Sequence, residues 1–258
     1  MNGDFRLKPR DYLGEPSRKR QLNERLFTTV APRYDRITRL LSFNRDRSWK
    51  RCLVNALPDL PQPVCLDLAC GTGDLTLLLA DRYPGGDILG LDLTPSMLAL
   101  ARARVNRPQV RFQCGDMART GLEPASVDLV TGGYALRHAG DLAEALTEVH
   151  RVLRPGGRAD FLDFSKSPGR SGQAVSHFLL KVWGGFWGLL LHRNPDVYGY
   201  IADSLKTFPD RRQLAMRLDE AGLRVLARRR FFFGLVEWVT VVKPAAGTAS
   251  ATRGSGTP

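Results

Sequence analysis

Apolar and polar residues alternate with two different periods along most of the chain. From residue 64 onward, short apolar runs alternate with amphipathic stretches of about ten residues, which predicts strands joined by helices. The predicted strands are 64–70, 87–93, 110–115, 127–133, 158–164, 223–232 and 235–242. The predicted helices are 74–82, 95–105, 141–153 and 210–221. This order predicts an α/β fold with a mostly parallel sheet and helices on both of its faces.

Helical spacing also marks two regions outside this alternation. Residues 17–57 carry apolar side chains at helical intervals, interrupted at Pro32, and predict an N-terminal helical cap. Residues 170–208 form an insertion before the last strands, on the side where we expect the substrate, and Phe178–Leu191 is its aromatic stretch. Such a stretch is either part of the core or the wall of an apolar channel.

The chain is strongly basic, and much of its charge lies near its start. Its formal net charge is +12, and residues 1–51 hold 14 Lys and Arg against 6 Asp and Glu. A basic end can meet an anionic membrane, nucleic acid or an acidic substrate, or it can be a solvated surface without a partner. We expect a flexible basic arm at 1–16, one domain over 17–243 and a disordered tail at 244–258.

The placement of the cysteines and the length of the apolar segments indicate which cellular compartment we expect for the protein. Cys65, Cys70 and Cys114 lie in or beside predicted strands and are interpreted as small buried hydrophobes. The chain has no CxxC pair, so we expect no metal site and a reducing cytoplasm. Met1–Arg25 lacks the apolar core of a signal peptide, and no run of 18 apolar residues predicts a membrane span.

A glycine-containing turn follows the first predicted strand. That strand runs into Gly71-Thr72-Gly73, and a helical pattern begins directly afterwards. The glycines allow a ligand to come close to the backbone where a Cβ would block it. Asp92 ends the next strand, 21 residues after Gly71, where a carboxylate can hold the two hydroxyls of a ribose. These features together predict a nucleotide-like cofactor.

The residues around the turn narrow the choice of cofactor. The third glycine of a dinucleotide fingerprint is replaced by Thr76, and the Lys-Ser/Thr pair of a P-loop is absent. Asp67 and Asp74 flank the turn, where carboxylates would repel a pyrophosphate but attract a cation. S-adenosylmethionine carries a sulfonium and an ammonium group and no phosphate, so it fits this turn best. Asp116 and Met117 follow the third strand and are expected at the adenine, although Asp116 can also be a turn-capping aspartate.

Several longer segments of the chain match the motifs of one known family. They are Phe27–Asp35, Leu41–Phe43 with Trp49–Arg51, Asp67–Leu75, Tyr134–His138, Arg151–Arg158, Leu162–Lys166, Tyr198–Ser204 and Ala221–Leu223. Across roughly residues 24–222 the sequence resembles the ubiquinone/menaquinone C-methyltransferases of UbiE type. The resemblance implies a Rossmann-like class I methyltransferase fold, with a seven-stranded sheet containing one antiparallel strand. It also implies S-adenosylmethionine as donor and a polyprenyl quinol as acceptor.

The resemblance also implies positions for the cofactor contacts. By alignment of the motifs they fall on Thr72, Asp92, Asp116, Met117 and Gly133. With the turn and its flanks, the candidate cofactor-binding residues are Asp67, Gly71, Thr72, Gly73, Asp92, Leu93, Asp116, Met117 and Gly133.

Three residues are candidates for the chemistry. Methylation of a ring carbon needs an electron-rich ring, and loss of a phenolic proton supplies it. His138 is the candidate base because its ordinary pKa lies near 7. Arg137 would steady the phenolate or orient a water, and Tyr34 would cover the cofactor or bind the acceptor. The alternatives are a packing histidine, a structural ion pair of Arg137 with Asp92 or Asp35, and a packing tyrosine.

Two departures from the family pattern leave the acceptor open. His138 stands where the family has Asn, and Phe231–Trp238 replaces its final Gly-Gly-x-x-Ala-x-His segment. A related methyltransferase acting on another small aromatic or isoprenoid metabolite is therefore the second hypothesis. The third is a non-methylating assembly or RNA-binding protein, which the intact acids of the turn argue against; we expect no nucleic-acid partner. We expect transient contact with an anionic membrane at the inner face, and leave open whether the chain is a homodimer.

Overall fold

The structure, a computed structural model, describes residues 15–166, 169–192 and 196–245. Its α-helices are α1 (Pro16–Val30), α2 (Tyr34–Leu41), α3 (Asp46–Asn55), α4 (Asp74–Arg82), α5 (Pro95–Arg104), α6 (Leu142–Val152), α7 (Arg170–His192), α8 (Asp196–Thr207) and α9 (Arg211–Glu220). Short 3₁₀ turns lie at Ala31–Arg33, Leu136–His138 and Phe232–Gly234. Most of the predicted arm and tail falls outside the described residues, so their disorder stays a prediction. None of the helices in the described ranges is long and apolar enough to cross a bilayer.

Seven strands form one sheet at the centre of the molecule. They are β1 (Val64–Leu68), β2 (Asp87–Asp92), β3 (Val110–Cys114), β4 (Val127–Gly133), β5 (Leu153–Phe164), β6 (Arg224–Phe231) and β7 (Val236–Val242). Their spatial order is β3-β2-β1-β4-β5-β7-β6. The first five pair in parallel, and β7 is antiparallel to both β5 and β6. The expected seven-stranded sheet with one antiparallel strand is confirmed.

The strand β5 begins earlier than its apolar pattern predicts. The expected strand covers 158–164, preceded by a helix end and a turn, whereas Leu153 already pairs with Val127 of β4. The register shifts between Val127 and Leu129, and Gly156 has a φ of +81°. Residues Arg154–Gly157 have no partner in the register with β4 and form a bulge within the strand, where Gly156 donates to Lys243 O and Gly157 O accepts from Lys243 N.

The N-terminal helices pack against the carboxyl-terminal edge of the sheet. Leu22, Leu26 and Val30 of α1 form an apolar cluster with Ile37 of α2 and Met97 of α5. On α3, Trp49 and Leu53 pack in a second cluster with Leu75 and Leu79 of α4. The predicted cap thus lies over the strand ends where a Rossmann-like fold binds its ligand.

The helix α7 packs against α8 and α2 through one side only. Trp183 is half-buried and Gly184 is buried on the inner side, whereas Phe178 and Leu190 on the outer side are 66% and 61% exposed. The aromatic stretch is therefore partly a cavity wall and partly an open surface, and only its inner side belongs to the protein interior.

One prediction about the cysteines is wrong. Cys65 and Cys70 are buried as expected, but Cys114 is exposed. It ends β3, the outermost strand of the sheet beyond β2. An edge strand has a neighbour on one side only, so its apolar residues are less completely covered than those of a central strand.

Candidate active site

The turn between β1 and α4 is held by the acid that ends the neighbouring strand. The backbone N–H of Gly71 donates to Asp92 Oδ2 at 2.8 Å, and that of Thr94 donates to Asp92 Oδ1 at 2.8 Å. Gly71 and Gly73 have φ values of +55° and +84°, in the region that favours glycine. A Cβ on Gly73 would lie 3.0 Å from Val105 Cγ2, so the turn also depends on close packing.

A cavity with an empty volume of about 670 Å³, including its mouth, opens at these strand ends. Its wall includes the sequence-predicted residues Gly71, Asp92, Leu93, Asp116, Met117 and Gly133. Burial raises the pKa of Asp92, although the two backbone donors oppose this shift. Asp116 forms an ion pair with Arg20 of α1 at 3.1 Å. The structure therefore brings together six of the predicted cofactor residues around one space.

The other predicted cofactor residues, Asp67, Thr72 and Gly73, do not line this cavity. Asp67 accepts hydrogen bonds from Thr76 Oγ1 at 2.6 Å and from Thr131 Oγ1 at 2.9 Å. Burial raises the pKa of the Asp67 carboxyl to about 6. Thr72 donates to Asp35 Oδ1 at 2.6 Å. In this arrangement Asp67 supports the turn from beneath, and Thr72 ties it to the N-terminal cap.

A second, largely apolar cavity adjoins the first. Its empty volume is about 990 Å³ including its mouth. Its wall is built from the cap, the sheet, α7 and α8, through Leu26, Val30, Ile37, Leu41, Trp49, Phe164, Leu180, Trp183, Ile201, Phe232 and Val236, among others. A largely apolar wall of this kind suits an aromatic ring with an apolar substituent.

Four residues, Phe27, Tyr34, Tyr134 and His138, line both cavities. Burial raises the pKa of Tyr34 to about 12. The imidazole of His138 lies edge-on against the ring of Phe27, with 4.8 Å between ring centroids. Burial, together with the charges of Arg137 and Lys19, holds the pKa of His138 well below its ordinary value, so its ring is neutral at pH 7. These side chains lie at the junction of the two cavities, where a chemical group transferred between ligands in the two cavities would pass.

Arg137 is buried in the wall of the apolar cavity and has its own partners. Its Nη1 donates to Ser204 Oγ at 2.6 Å, and its Nε lies 3.5 Å from Asp163 Oδ1. The guanidinium also lies over the ring of Phe164, 5.2 Å from its centroid. Arg137 therefore forms its ion pair with Asp163. Asp92 and Asp35, the partners considered for a structural ion pair, are not the ones that it contacts.

A buried charge network that sequence reasoning missed lies behind the junction. Lys50 Nζ is 2.7 Å from Asp46 Oδ2 and 3.1 Å from Asp74 Oδ2, and Tyr134 Oη donates to Asp46 Oδ1 at 2.6 Å. Burial opposes the charge on Lys50, but the two carboxylates outweigh it and raise its pKa. The spacing of Asp46 and Lys50, four residues apart on a helix, was the available signal, but nothing local says that such a pair is buried.

The fold and the cavity at its strand ends define the class of protein. The sheet order, the glycine turn and the acid ending β2 are the features of a Rossmann-like methyltransferase. A methyltransferase solved with the Haloferax volcanii Trm112 methyltransferase activator has the same fold, with a TM-score of 0.64 and 19% identity, over 84% of this chain and 97% of that one. The chain belongs to the ubiE/COQ5 methyltransferase family, whose model matches residues 16–243. It is therefore an enzyme, and the predicted family is confirmed.

Two bacterial relatives match most of the chain. The demethylmenaquinone methyltransferase of Deinococcus radiodurans is 35% identical over 88% of this chain and 95% of its own length. The demethylmenaquinone methyltransferase of Thermus thermophilus is 39% identical over 78% of this chain and 92% of its own length.

Proposed function

We propose that this protein transfers a methyl group from S-adenosylmethionine to a ring carbon of a demethylmenaquinol. The observation that carries the proposal is the pair of adjoining cavities, one bounded by acids at the strand ends and one apolar, which share Phe27, Tyr34, Tyr134 and His138. A donor in the first cavity and a ring in the second would meet at these residues.

The first cavity fits the donor in three respects. Asp92 is held by two backbone donors, and a carboxylate has further lone pairs that can accept the ribose hydroxyls. Leu93 and Met117 supply apolar surface for an adenine. A Cβ on Gly71 would be 4.0 Å from Tyr34 Cε1, its nearest neighbour, so glycine keeps the space between turn and cap open. When bound, S-adenosylmethionine supplies a methyl group already activated by its sulfonium.

The second cavity fits a ring that carries a long apolar substituent. Its wall is mostly aliphatic and aromatic, and three of its polar side chains, Tyr34, Tyr134 and His138, also line the first cavity. The names of the Deinococcus and Thermus relatives favour a naphthoquinol over a benzoquinol. The polar ring would thus face the donor, and the prenyl chain would lie along the apolar wall.

The residues at the junction position the ring and stabilise developing charge. Neutral His138 accepts a hydrogen bond from the ring hydroxyl. Because burial and the charges of Arg137 and Lys19 disfavour an isolated imidazolium, His138 receives the proton only as an ion pair with the phenolate that forms beside it. The positive charge of Arg137 lies next to His138 in the chain and stabilises the resulting phenolate. With S-adenosylmethionine bound, the methyl group would pass to the ring carbon and S-adenosylhomocysteine would leave. The hydrogen at that carbon would then leave as a proton to water, and His138 would return its own proton to the ring oxygen. Tyr34, neutral at pH 7, holds the two reactants in contact.

The product of the reaction tests this proposal. The purified protein is incubated anaerobically with methyl-labelled S-adenosylmethionine and a reduced demethylmenaquinone of short prenyl chain, and the products are separated by chromatography. We expect label in a ring-methylated menaquinol and none in soluble phenols. Labelling of the phenols with none in the naphthoquinol would contradict the proposed acceptor.

A second candidate acceptor is another small aromatic or isoprenoid metabolite. The observation in its favour is that Phe232, from the segment that departs from the family pattern, lines the apolar cavity. The same assay with a panel of isoprenoid phenols separates the two candidates. A cytoplasmic location and transient contact with an anionic membrane also belong to the proposal.

A further inference from the structure

The outer side of α7 presents a continuous apolar stripe. Its members follow helical spacing and are each between 51% and 66% exposed: Val175, Phe178, Leu179, Val182, Phe186, Leu189 and Leu190. At about 1.5 Å per residue the stripe is about 22 Å long. Soluble surfaces rarely expose so many large apolar side chains on one helix, so this stripe indicates a contact with something apolar.

Two exposed phenylalanines extend the stripe to the mouth of the apolar cavity. Phe43 is 57% exposed and stacks on Trp183 with 5.0 Å between ring centroids, and Trp183 in turn stacks on Phe186 at 6.3 Å. Phe43 also lies 5.8 Å from Phe232, whose neighbour Phe233 is fully exposed. Since Trp183 and Phe232 line the apolar cavity, the exposed surface is continuous with its wall. We call the α7 stripe with Phe43 and Phe233 the apolar face.

The segments bordering the apolar face are basic. Exposed Arg39, Arg45 and Arg47 flank Phe43 in the chain, and exposed Arg229 and Arg230 precede the phenylalanines at the end of β6. Arg229 lies over the ring of Phe231 at 5.2 Å, which places its charge beside the aromatic cluster. An apolar surface with a basic border matches a bilayer whose acyl chains lie beneath anionic headgroups.

We propose that the apolar face docks flat on an anionic bilayer, so that the apolar cavity opens into the acyl-chain region. The inference rests on the proposed function in one respect, because a prenylated quinol is itself dissolved in that region. The prenyl chain then enters the cavity without crossing water, while α7 lies in the interface and does not span it. Basic side chains at the border are attracted to the anionic headgroups, and salt screens this attraction, so the contact weakens with salt.

Vesicle flotation of the full chain tests the docking. The probes are vesicles of phosphatidylglycerol with phosphatidylcholine and vesicles of phosphatidylcholine alone. The test variant is Phe178→Gln with Leu190→Gln, two exposed residues that do not line either cavity. The matched control is Leu60→Gln with Met216→Gln, which changes two exposed apolar residues outside the apolar face. We expect the wild type and the control to float with the anionic vesicles at low salt, and the test variant to bind at least tenfold more weakly.

Activity measurements separate failure of the docking from failure of the proposed reaction. The test variant should methylate a soluble, short-chain naphthoquinol as fast as the wild type, but a long-chain quinol embedded in vesicles at least tenfold more slowly. Absence of methylation in every variant, with flotation as expected, would contradict the reaction and leave the docking intact. Equal flotation of the test variant and the wild type would overturn the docking. A dimer in light scattering that the test variant alone loses would also overturn it, because a second copy would then cover the face.

Discussion

Asp92 is the residue on which the cofactor end of the site depends most directly. Both of its oxygens accept backbone donors, from Gly71 and Thr94, so one side chain sets the distance between the ends of β1 and β2. Asp92 lines the same cavity as Leu93 and Met117. The same carboxylate therefore shapes the turn and, in the proposed complex, would accept hydrogen bonds from the ribose.

Replacement Asp92→Ala should weaken S-adenosylmethionine binding by about ten- to a hundredfold, because hydrogen bonds to a buried carboxylate are lost. Isothermal titration calorimetry measures the affinity. The control is Asp87→Ala, at the exposed start of the same strand, where the side chain pairs with Arg111 and should leave binding unchanged. Equal affinity of wild type and Asp92→Ala would refute the ribose assignment.

His138 differs from an exposed histidine because its charged form is disfavoured. The pKa of His138 lies well below 6.5 mainly because the ring is buried, and the positive charges of Arg137 and Lys19 lower it further. As the pH falls below 6.5, the unfolded chain binds a proton at His138 before the folded protein does. His138 therefore lowers the free energy of unfolding progressively between pH 6.5 and its folded pKa. Above pH 6.5 it is neutral in both states and contributes no pH dependence.

If His138 is the base, the rate of methylation should not depend on its titration above pH 6.5. As the pH is lowered further, the rate should fall only when the pH approaches the lowered pKa of His138. His138→Gln should reduce kcat at least tenfold and remove this acid limb, with little change in donor affinity. Steady-state rates between pH 5 and 8 check this. His150→Gln is the control, since His150 lines neither cavity. Full turnover of His138→Gln would exclude the proposed base.

At the scale of elements, α3 and α4 are joined by charge as well as by apolar packing. Lys50 of α3 lies between Asp46 of its own helix and Asp74 at the start of α4. Arg104 of α5 adds a more exposed bridge, from Asp74 at 2.7 Å to Asp35 of α2 at 2.9 Å. The cap is thereby fixed to the turn that shapes the cofactor cavity.

Lys50→Met should lower the free energy of unfolding by about 3 kcal/mol, because it leaves the buried carboxylate of Asp46 without its cation and removes one of the two cations of Asp74. Urea denaturation followed by circular dichroism measures the change. Lys206→Met is the matched control: Lys206 also pairs with a carboxylate, Asp203, but is 47% exposed and should cost less than about 1 kcal/mol. An equal loss of unfolding free energy in both variants would show that burial does not increase the contribution of the Lys50 ion pairs to stability.

Most helices and strands lie where the spacing of apolar residues predicts them. Some of their ends do not, because apolar spacing alone does not determine where an element begins or ends. The helix α4 has the predicted bounds, because Asp74 follows a left-handed Gly73 that ends the turn. The strand β5 starts at Leu153, five residues before its apolar pattern, because Leu153 pairs with Val127 and the turn residues Pro155 and Gly156 lie in a bulge within the strand. Pairing between distant segments is not encoded in local spacing, so such boundaries escape prediction.

For the whole molecule, the site is a junction of three parts. The sheet provides the acids, the N-terminal cap provides Phe27 and Tyr34, and α7 with α8 closes the apolar cavity through residues such as Trp183 and Ile201. No one part forms either cavity, so a ligand that binds here stabilises the contact between parts.

Binding of S-adenosylhomocysteine should therefore slow amide exchange in α1, whose Arg20, Asn23 and Phe27 line the cofactor cavity. At a concentration about 100 times the dissociation constant, the slowing reaches up to about a hundredfold where opening releases the ligand. Hydrogen exchange with mass spectrometry measures it, and α9 serves as the internal reference because it lines neither cavity. Protection confined to the sheet would contradict a cavity shared with the cap.

The amino-acid sequence by itself determined the alternating α/β order, the turn at Gly71–Gly73, the strand-end acid Asp92 and the family. These follow from residues close together in the chain, where spacing and glycine placement act directly. Only the tertiary structure decided that Asp67 supports the turn from beneath and that Arg137 pairs with Asp163. It also decided that one side of α7 is exposed. Burial and ion pairing depend on which distant segments pack together, and local spacing does not contain that information.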